Sequence, residues 1–344
     1  MSQDSPPNLP SVTVVVSARN EAQTIRSCIA ALLAQLHVPE LIVVVNDGST
    51  DGTAQVLERF ANDPRVMVIN LERNVGVPSA RNIGAAQSRS DIIAFTDADA
   101  YATPEWLAEL LLPFAEETVA CAGGPDRAPT GDRPFALAVD YSLSSLIGSG
   151  RLRLKNRFAP YSPAGCNLAI RREVFEACDG FNECLDQRGE EKELLQRIRR
   201  AGGRIVYCPE ALVWHHRRVS PRRFWRQNFL SGKARVDILR LAPDAFSWPH
   251  VAPFLMVALL LAALACYLAS GLLLCLVPIG AYLLALLWDA VQALRAKRSW
   301  RIAAWVALTS GLIHWGYGIG LMHGCLRLAL GKPVGSGRCA RGVV

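Results

Sequence analysis

Asp97 and Asp99, two carboxylates separated by one residue, close the apolar run "DIIAFTDADA". In an extended chain, residues i and i+2 point to the same side, so both acids can reach one ligand. Like charges that close repel each other unless a cation lies between them. Hard oxygen ligands suit Mg2+ or Mn2+, and an ion held in this way commonly takes phosphate oxygens of a substrate as well. The competing explanation is an acidic turn facing water, and a D-x-D pair alone does not decide between the two.

The elements that must position this pair are legible around it. "SVTVVVSA", "ELIVVVND", "VMVIN" and "DIIAFTD" are β-branched apolar runs of the kind that form buried parallel strands. Between them lie helical segments, the first with Ile25, Ile29, Leu32, Leu33 and Leu36 at helical spacing, the others in "GSTDGTAQVLERF" and "SARNIGAAQS". Strands alternating with helices imply an α/β fold, a mostly parallel sheet with helices on both faces. Ligands bind such sheets just outside the carboxyl ends of the strands. Those ends are Arg19 to Glu21, Asn46 to Ser49, Asn70 to Gly76 and Asp97 to Asp99, all polar. No G-x-G-x-x-G follows the first strand, which argues against dinucleotide binding. Farther on, "EEKELLQRIRRAGG" reads as a helix closed by glycines. Glu191 precedes its apolar stripe Leu194, Leu195 and Ile198, so it begins the helix on the inward face.

The chain has 344 residues, 51% of them hydrophobic, and a net charge of +7. From Val251 to Trp288 there is no charged residue. That run is roughly twice the ~20 residues needed to cross a bilayer, and it reads as two spans (250–269 and 272–288) turning near Ser270 and Gly271. A third segment, 302–325, contains five glycines and two histidines and reads as a span or a re-entrant piece. Arg295, Lys297, Arg298 and Arg301 follow the second span, which returns the hairpin to the cytoplasmic side. The polar start "MSQDSPPNLP" is no signal peptide, so the first 240 residues are expected in the cytoplasm of a multi-pass protein of the cell inner membrane. Ahead of the spans, Arg217, Arg218, Arg222, Arg223, Arg226, Lys233, Arg235 and Arg240 interleave with Phe224, Trp225 and Phe229. This segment, 217–248, reads as an amphipathic helix on membrane lipids, and nucleic acid is not expected as a partner. The ten cysteines show no C-x-x-C or zinc spacing and are expected to be reduced core fillers.

Taken together, "VSARNEAQTI", "VVVNDGSTDGT", "NVGVPSARNIGAAQSRSDIIAFTDADA", "PAGCNLAIRREVFEACDGFNE" and "RGEEKELLQRIRRAGGRIVYCPEALVWHH" resemble, in this order, the family 2 glycosyltransferases of the GT-A fold. The resemblance covers about Ser11 to His216. It implies a transferase domain at 11–216 after a disordered tail (1–10), then the interfacial segment, a membrane region (249–326) and a basic tail (327–344). Members of that family move a sugar from a nucleotide-diphospho-sugar with inversion, usually with Mg2+ or Mn2+. By this resemblance Asp97, Asp99 and His215 hold the metal, with His216 as a substitute for His215. Asp47 contacts the nucleotide base, Glu21 faces the nucleoside, and Arg81 lies near the donor phosphates. Ser17, Arg19, Ser49 and Ala98 complete the donor side, while Gly165 and Asn167 lie on the acceptor side.

Family members carry glutamate followed by aspartate at the catalytic base, where this chain has Glu190 followed by Glu191. Glu191 takes the role, on a stem one methylene longer. A base implies a hydroxyl acceptor, because a phosphate acceptor is already ionised at neutral pH. The expectation is a membrane-anchored inverting glycosyltransferase using a UDP- or GDP-linked donor and a lipid or lipid-linked glycan acceptor. Two alternatives remain, a nucleotidyltransferase and a non-catalytic membrane protein that binds nucleotide-sugars. "RQNFLSGKA" lacks the R-W pair of the processive members, which favours single transfers.

Overall fold

The computed structural model describes residues 9–150, 161–185, 188–217, 220–246 and 248–332. Most of the expected tails, together with Arg218, lies outside these residues. In chain order the elements are β1 (Val12–Ala18), α1 (Ile25–Leu33), β2 (Leu41–Asp47), α2 (Thr53–Leu57), β3 (Val66–Leu71), α3 (Val77–Ala85), β4 (Ile92–Asp97), β5 (Ala100–Ala102), α4 (Trp106–Leu111), β6 (Val119–Gly123) and β7 (Asp126–Arg127). There follow α5 (Pro134–Ser144), α6 (Leu146–Ser149), β8 (Leu168–Arg171), α7 (Arg172–Ala177), α8 (Glu190–Arg200), β9 (Arg204–Tyr207) and β10 (Val213–His215). The last helices are α9 (Pro221–Leu241), α10 (Trp248–Ser270), α11 (Val277–Lys297) and α12 (Trp300–Ala329). The chain divides into two compact units, one made of 1–127 with 161–215, the other of 128–160 with 216–344. Residues 128–160, which the sequence groups with the span 11–216, therefore belong with the C-terminal helices.

In the first unit seven strands form one sheet in the order β3-β2-β1-β4-β8-β6-β9. The four strands read from the sequence are parallel neighbours, with Val15 opposite both Val43 and Phe95. The centres of β1, β2 and β4 are fully buried, the environment that near-continuous Val and Ile runs specify, while β3 at the sheet edge is only partly buried. Strand β8 runs antiparallel to both β4 and β6, so the sheet is mixed beyond its first four strands. A small second sheet, β5-β10-β7, completes the unit. The apolar stripe of α1 ends earlier than its spacing suggests, since Leu36 is 71% exposed. The inward position goes to Gln35, whose amide donates to Ala31 O and Thr103 O while its carbonyl accepts from Leu107 N.

The second unit is helical. Three stretches, Trp248–Ser270, Leu273–Lys297 and Trp300–Ala329, are long and apolar enough to cross a membrane. The segment 302–325 lies within one continuous helix. Its glycines are packing positions. A Cβ at Gly320 would lie 2.1 Å from Phe229 O, and one at Gly232 of α9 would lie 2.1 Å from Tyr317 O. Small residues of this kind let helix backbones approach closely in an apolar setting. Gly320→Ala is expected to lower the thermal unfolding midpoint in detergent, with about 1 to 3 kcal/mol lost to overpacking. Gly311→Ala in the same helix meets only ordinary contacts near 3.8 Å and is expected to leave the midpoint unchanged or raised.

Two sequence expectations shift here. Helix α11 runs through "DAVQALRAK" to Lys297 and does not end at the first charge, because Asp289 is buried among hydroxyls. Several charges of the basic segment are also turned inward. Arg217 pairs with Asp140 at 2.7 Å, and Arg235 donates to Tyr317 Oη at 3.2 Å. Arg222, Arg223, Arg226 and Arg240 are the exposed cations of α9.

Candidate active site

Strand β4 delivers Asp97 at its carboxyl end, as the rule for parallel sheets requires. Asp99 then sits in a turn between β4 and β5, so the two acids converge across a bend and not along an extended strand. The small sheet supplies the third member. Strand β10 pairs antiparallel with β5, setting His215 opposite Ala100. Its Nε2 lies 3.2 Å from Asp99 Oδ1. Ligand atoms of Asp97, Asp99 and His215 all fall within 4.8 Å of one another. On the other side of the imidazole, Nδ1 meets Asp126 Oδ2 at 3.6 Å and Cys166 Sγ at 3.6 Å. This matches the carboxylate and histidine pairing that orients metal ligands, with Nε2 directed at the cluster. Burial opposes charge on His215, yet Cys166, Asp99 and Asp126 outweigh it and hold the imidazole pKa well above its ordinary value. The cluster thus calls for positive charge, and two carboxylates with one imidazole suit Mg2+ or Mn2+. His216 is not part of it and lies 3.3 Å from Asp132 in the other unit.

Arg81 is not a surface arginine of α3. Its side chain is 3% exposed, donating to Asp97 Oδ1 at 2.8 Å and to Glu190 Oε1 at 3.0 Å, with its guanidinium over the Phe181 ring. Burial disfavours its charge, but Asp97, Glu190 and Glu191 overcome this and raise its pKa further. The arginine therefore ties a candidate metal ligand to the first turn of α8. Gly165 makes room for it, since a Cβ there would lie 2.6 Å from the guanidinium. Gly165→Ala is expected to displace Arg81 and, by loosening its buried ion pairs, to lower the melting temperature as well. Misplacement by about 1 Å costs up to about 10²-fold in kcat/KM, readable by steady-state kinetics beside a thermal melt.

Helix α8 begins with Glu190 and Glu191 after Gly189, whose φ of +94° suits glycine. Of these two, Glu190 is the one turned deeper inward, held by Arg81. Burial and the neighbouring Glu191 charge push its pKa up to about 7, partly offset by Arg81. Burial also works on Glu191, but Lys192, its own backbone amide, Arg81 and Arg188 outweigh it and hold Glu191 below the usual glutamate range. The closest cation to Glu191 is Lys192 Nζ, at 3.9 Å. Glu191 is thus the carboxylate whose charge is the more favoured of the two, and its side chain keeps 17% of its surface.

The remaining expected residues fall into two groups. At the strand ends, Asp47 is buried and accepts from Asn74 Nδ2, Val75 N and Gly76 N at 2.5, 2.6 and 3.1 Å, pinning the loop after β3. Ser49 Oγ accepts from Asn20 N, joining the loops after β1 and β2. Glu21 accepts from Thr24 Oγ1 at 2.8 Å, Arg19 is exposed, and Ser17 is half-buried at the end of β1. The second group is structural in its contacts. The Ala98 side chain lies in the core. Asn167 is fully buried, accepting from Trp106 Nε1 and donating to Pro125 O and Ala211 O. It holds three segments together, and no surface of it is left for an acceptor. Asp126 and Cys166 escaped the sequence reading, because a two-residue strand and a buried thiol carry no spacing signal. Four of the cysteines, Cys28, Cys121, Cys166 and Cys208, do fill the core. Cys184 is disulfide-bonded and departs from the expectation of reduced thiols.

The family model for glycosyl transferase family 2 matches residues 13–178, the span that carries Asp47, Arg81, Asp97 and Asp99. The chain is 32% identical over 242 residues to the succinoglycan biosynthesis protein ExoU of Rhizobium meliloti, covering 67% of each. It belongs to glycosyl transferase family 2. This glycosyltransferase is also 30% identical over 235 residues to the O-antigen chain rhamnosyltransferase WbaN of Salmonella anatum, covering 65% of this chain and 72% of that one. Across the curated relatives compared, it spans from 18% to 72% of their lengths. In fold it is similar to a mannosyltransferase of Pyrobaculum calidifontis solved with GDP-Man and Mn2+. The TM-score is 0.59 at 23% identity, covering 90% of this chain and 88% of that one. The mixed sheet of the glycosyltransferase is therefore the GT-A arrangement expected from its motifs, followed by three apolar helices.

Proposed function

We propose that this family 2 glycosyltransferase is an inner-membrane enzyme whose transferase unit faces the cytoplasm. It transfers one sugar, with inversion, from a UDP- or GDP-linked donor to a hydroxyl of a lipid or lipid-linked glycan. The observation that carries this reading is the Asp97, Asp99 and His215 cluster, joined through Arg81 to the glutamates of α8. Mg2+ or Mn2+ held by the three cluster residues would supply positive charge to the departing nucleoside diphosphate. Asp47, Ser49, Ser17, Arg19 and Glu21 line the strand ends on the donor side, with Ala98 contributing backbone alone. Glu191 accepts the proton of the acceptor hydroxyl as its oxygen attacks the anomeric carbon. Attack opposite the leaving diphosphate inverts that carbon. Arg81 fixes Asp97 and Glu190 so that ligand and base keep their spacing. The relatives' names, succinoglycan and O-antigen biosynthesis, support a glycan product, and the apolar helices support an acceptor in the membrane.

A thermal-shift screen of UDP- and GDP-sugars with Mn2+ tests the donor, followed by product analysis with membrane lipid extract. Stabilisation by one donor and lipid-dependent release of nucleoside diphosphate are expected. Pyrophosphate would instead mean nucleotidyl transfer. Tight binding with no release would mean a non-catalytic nucleotide-sugar binder.

A further inference from the structure

The imidazole of His215 has two sides, Nε2 toward Asp99 and Nδ1 toward Asp126 and Cys166. Strand β7 runs parallel to β10 with Asp126 opposite Val213, which brings the Asp126 carboxylate to 3.6 Å from His215 Nδ1. Cys166 is buried in the turn before β8, where its carbonyl accepts from Thr96 Oγ1 at 3.0 Å. Its Sγ lies 3.6 Å from the same Nδ1, and ligand atoms of Asp126, Cys166 and His215 all fall within 4.8 Å of one another. Orienting the ring needs a single acceptor at Nδ1, and Asp126 supplies it. A thiol is a weak donor and a weak acceptor, so Cys166 adds little to that task.

The spacing suits a different ligand. A tetrahedral Zn2+ with a thiolate at about 2.3 Å and an imidazole at about 2.0 Å sets sulfur and nitrogen roughly 3.5 Å apart, and nitrogen and carboxylate oxygen roughly 3.3 Å apart. Both separations on the Nδ1 side, 3.6 Å each, lie close to these values. Thiolate and imidazole select soft cations, whereas the oxygens of Asp97 and Asp99 suit Mg2+ or Mn2+. We infer that Asp126, Cys166 and His215 form a second, inhibitory site for a thiophilic divalent cation of the Zn2+ class. Such an ion opposes Mg2+ or Mn2+ at the neighbouring cluster by taking His215 from it. A neutral imidazole offers one lone pair and one N–H. When the cation takes Nδ1, the thiol proton of Cys166 leaves to solvent and the ring proton sits on Nε2. Nε2 then donates to Asp99 Oδ1, which already lies 3.2 Å away, and is lost as a ligand. The inference rests on the proposed reading in which Asp97, Asp99 and His215 hold the catalytic metal.

The test uses the full-length protein in detergent with Zn2+ and Mn2+ alone, without donor or acceptor. X-ray absorption at the zinc edge is expected to show one sulfur at about 2.3 Å beside nitrogen and oxygen neighbours. Electron paramagnetic resonance counts free Mn2+, and one equivalent of Zn2+ is expected to weaken Mn2+ binding about tenfold. In Cys166→Ser both the zinc–sulfur signal and the antagonism are expected to vanish. Zinc with nitrogen and oxygen neighbours alone, or with several sulfurs, overturns the inference in the wild-type protein, whether or not the variant folds. Antagonism that persists in Cys166→Ser means direct competition at Asp97 and Asp99 and overturns it too. So does Mn2+ binding that is indifferent to sulfur-bound Zn2+. Asp99→Asn separates this result from the proposed function, because the zinc–sulfur signal is expected to persist in it while Mn2+ binding weakens. Normal Mn2+ binding without sulfur-bound zinc would leave the proposed function standing and remove this site.

Discussion

Asp99→Asn is expected to reduce sugar transfer by about 10³-fold, equivalent to about 4 kcal/mol of transition-state stabilisation. The amide keeps the size of the side chain and an oxygen for His215 Nε2, now 3.2 Å away, so the turn between β4 and β5 has no reason to refold. What disappears is one negative charge from the set that binds the cation. Nucleoside diphosphate release and the Mn2+-dependent part of the donor's thermal shift are expected to fall together, with the ligand-free melt near wild type. Raised Mn2+ should recover part of the activity, because the variant weakens metal binding without deleting the other two ligands. Asp97 makes a poorer test, since changing it also releases Arg81. Full turnover in Asp99→Asn at ordinary Mn2+ would remove the metal assignment.

Glu191→Gln separates the two ends of the reaction. Donor binding depends on the cluster and on the ends of β1, β2 and β4, so donor affinity is expected to stay within about twofold. Transfer to a hydroxyl is expected to drop by about 10² to 10⁴-fold, the usual share of a general base. Glu190→Gln acts differently, because its amide oxygen can still accept from Arg81, and the expected loss is about tenfold. Comparing the pair assigns the base by experiment. A deeper loss in Glu190→Gln would transfer the role to the buried glutamate, whose pKa near 7 is also poised for proton transfer. Turnover retained in both variants would point to an acceptor that is already ionised, such as a phosphate.

The first half of the transferase unit was legible because β1, β2 and β4 are buried on both faces, so their Val and Ile runs announce themselves without competing signals. The strand-end rule then located Asp47 and Asp97. Other features depended on partners far along the chain. Nothing in "LAIR" states that β8 runs against β4, since direction is set by where the preceding chain enters the sheet. Asp99 and His215 meet through strands of three residues, too short for any periodicity to mark. Helical spacing carried Leu36 into the core, while three hydrogen bonds to Gln35 decided otherwise. The acids of α8 were recognisable as a site, but which of them turns inward followed from Arg81, 109 residues away in sequence. Charge was a poor guide to helix ends in the apolar region, because serine hydroxyls from two other helical segments accommodate Asp289.

The insertion of 128–160 bears on how this chain is made. Helices α5 and α6 leave the ribosome before β8, which the sheet needs between β4 and β6. Phe135, Val139 and Leu143 of α5 are buried with Phe224 and Ile313, and Ala138 with Ile302 and Val306, all synthesised much later. During translation the apolar face of α5 therefore stays uncovered until α9 and α12 arrive. A chain cut after His215 would carry it permanently, as a patch prone to aggregation. The C-terminal helices α9 and α12 are thus what finally covers the apolar face of α5. Expression of the transferase unit without α9 and α12 is therefore expected to succeed better when α5 is removed with them.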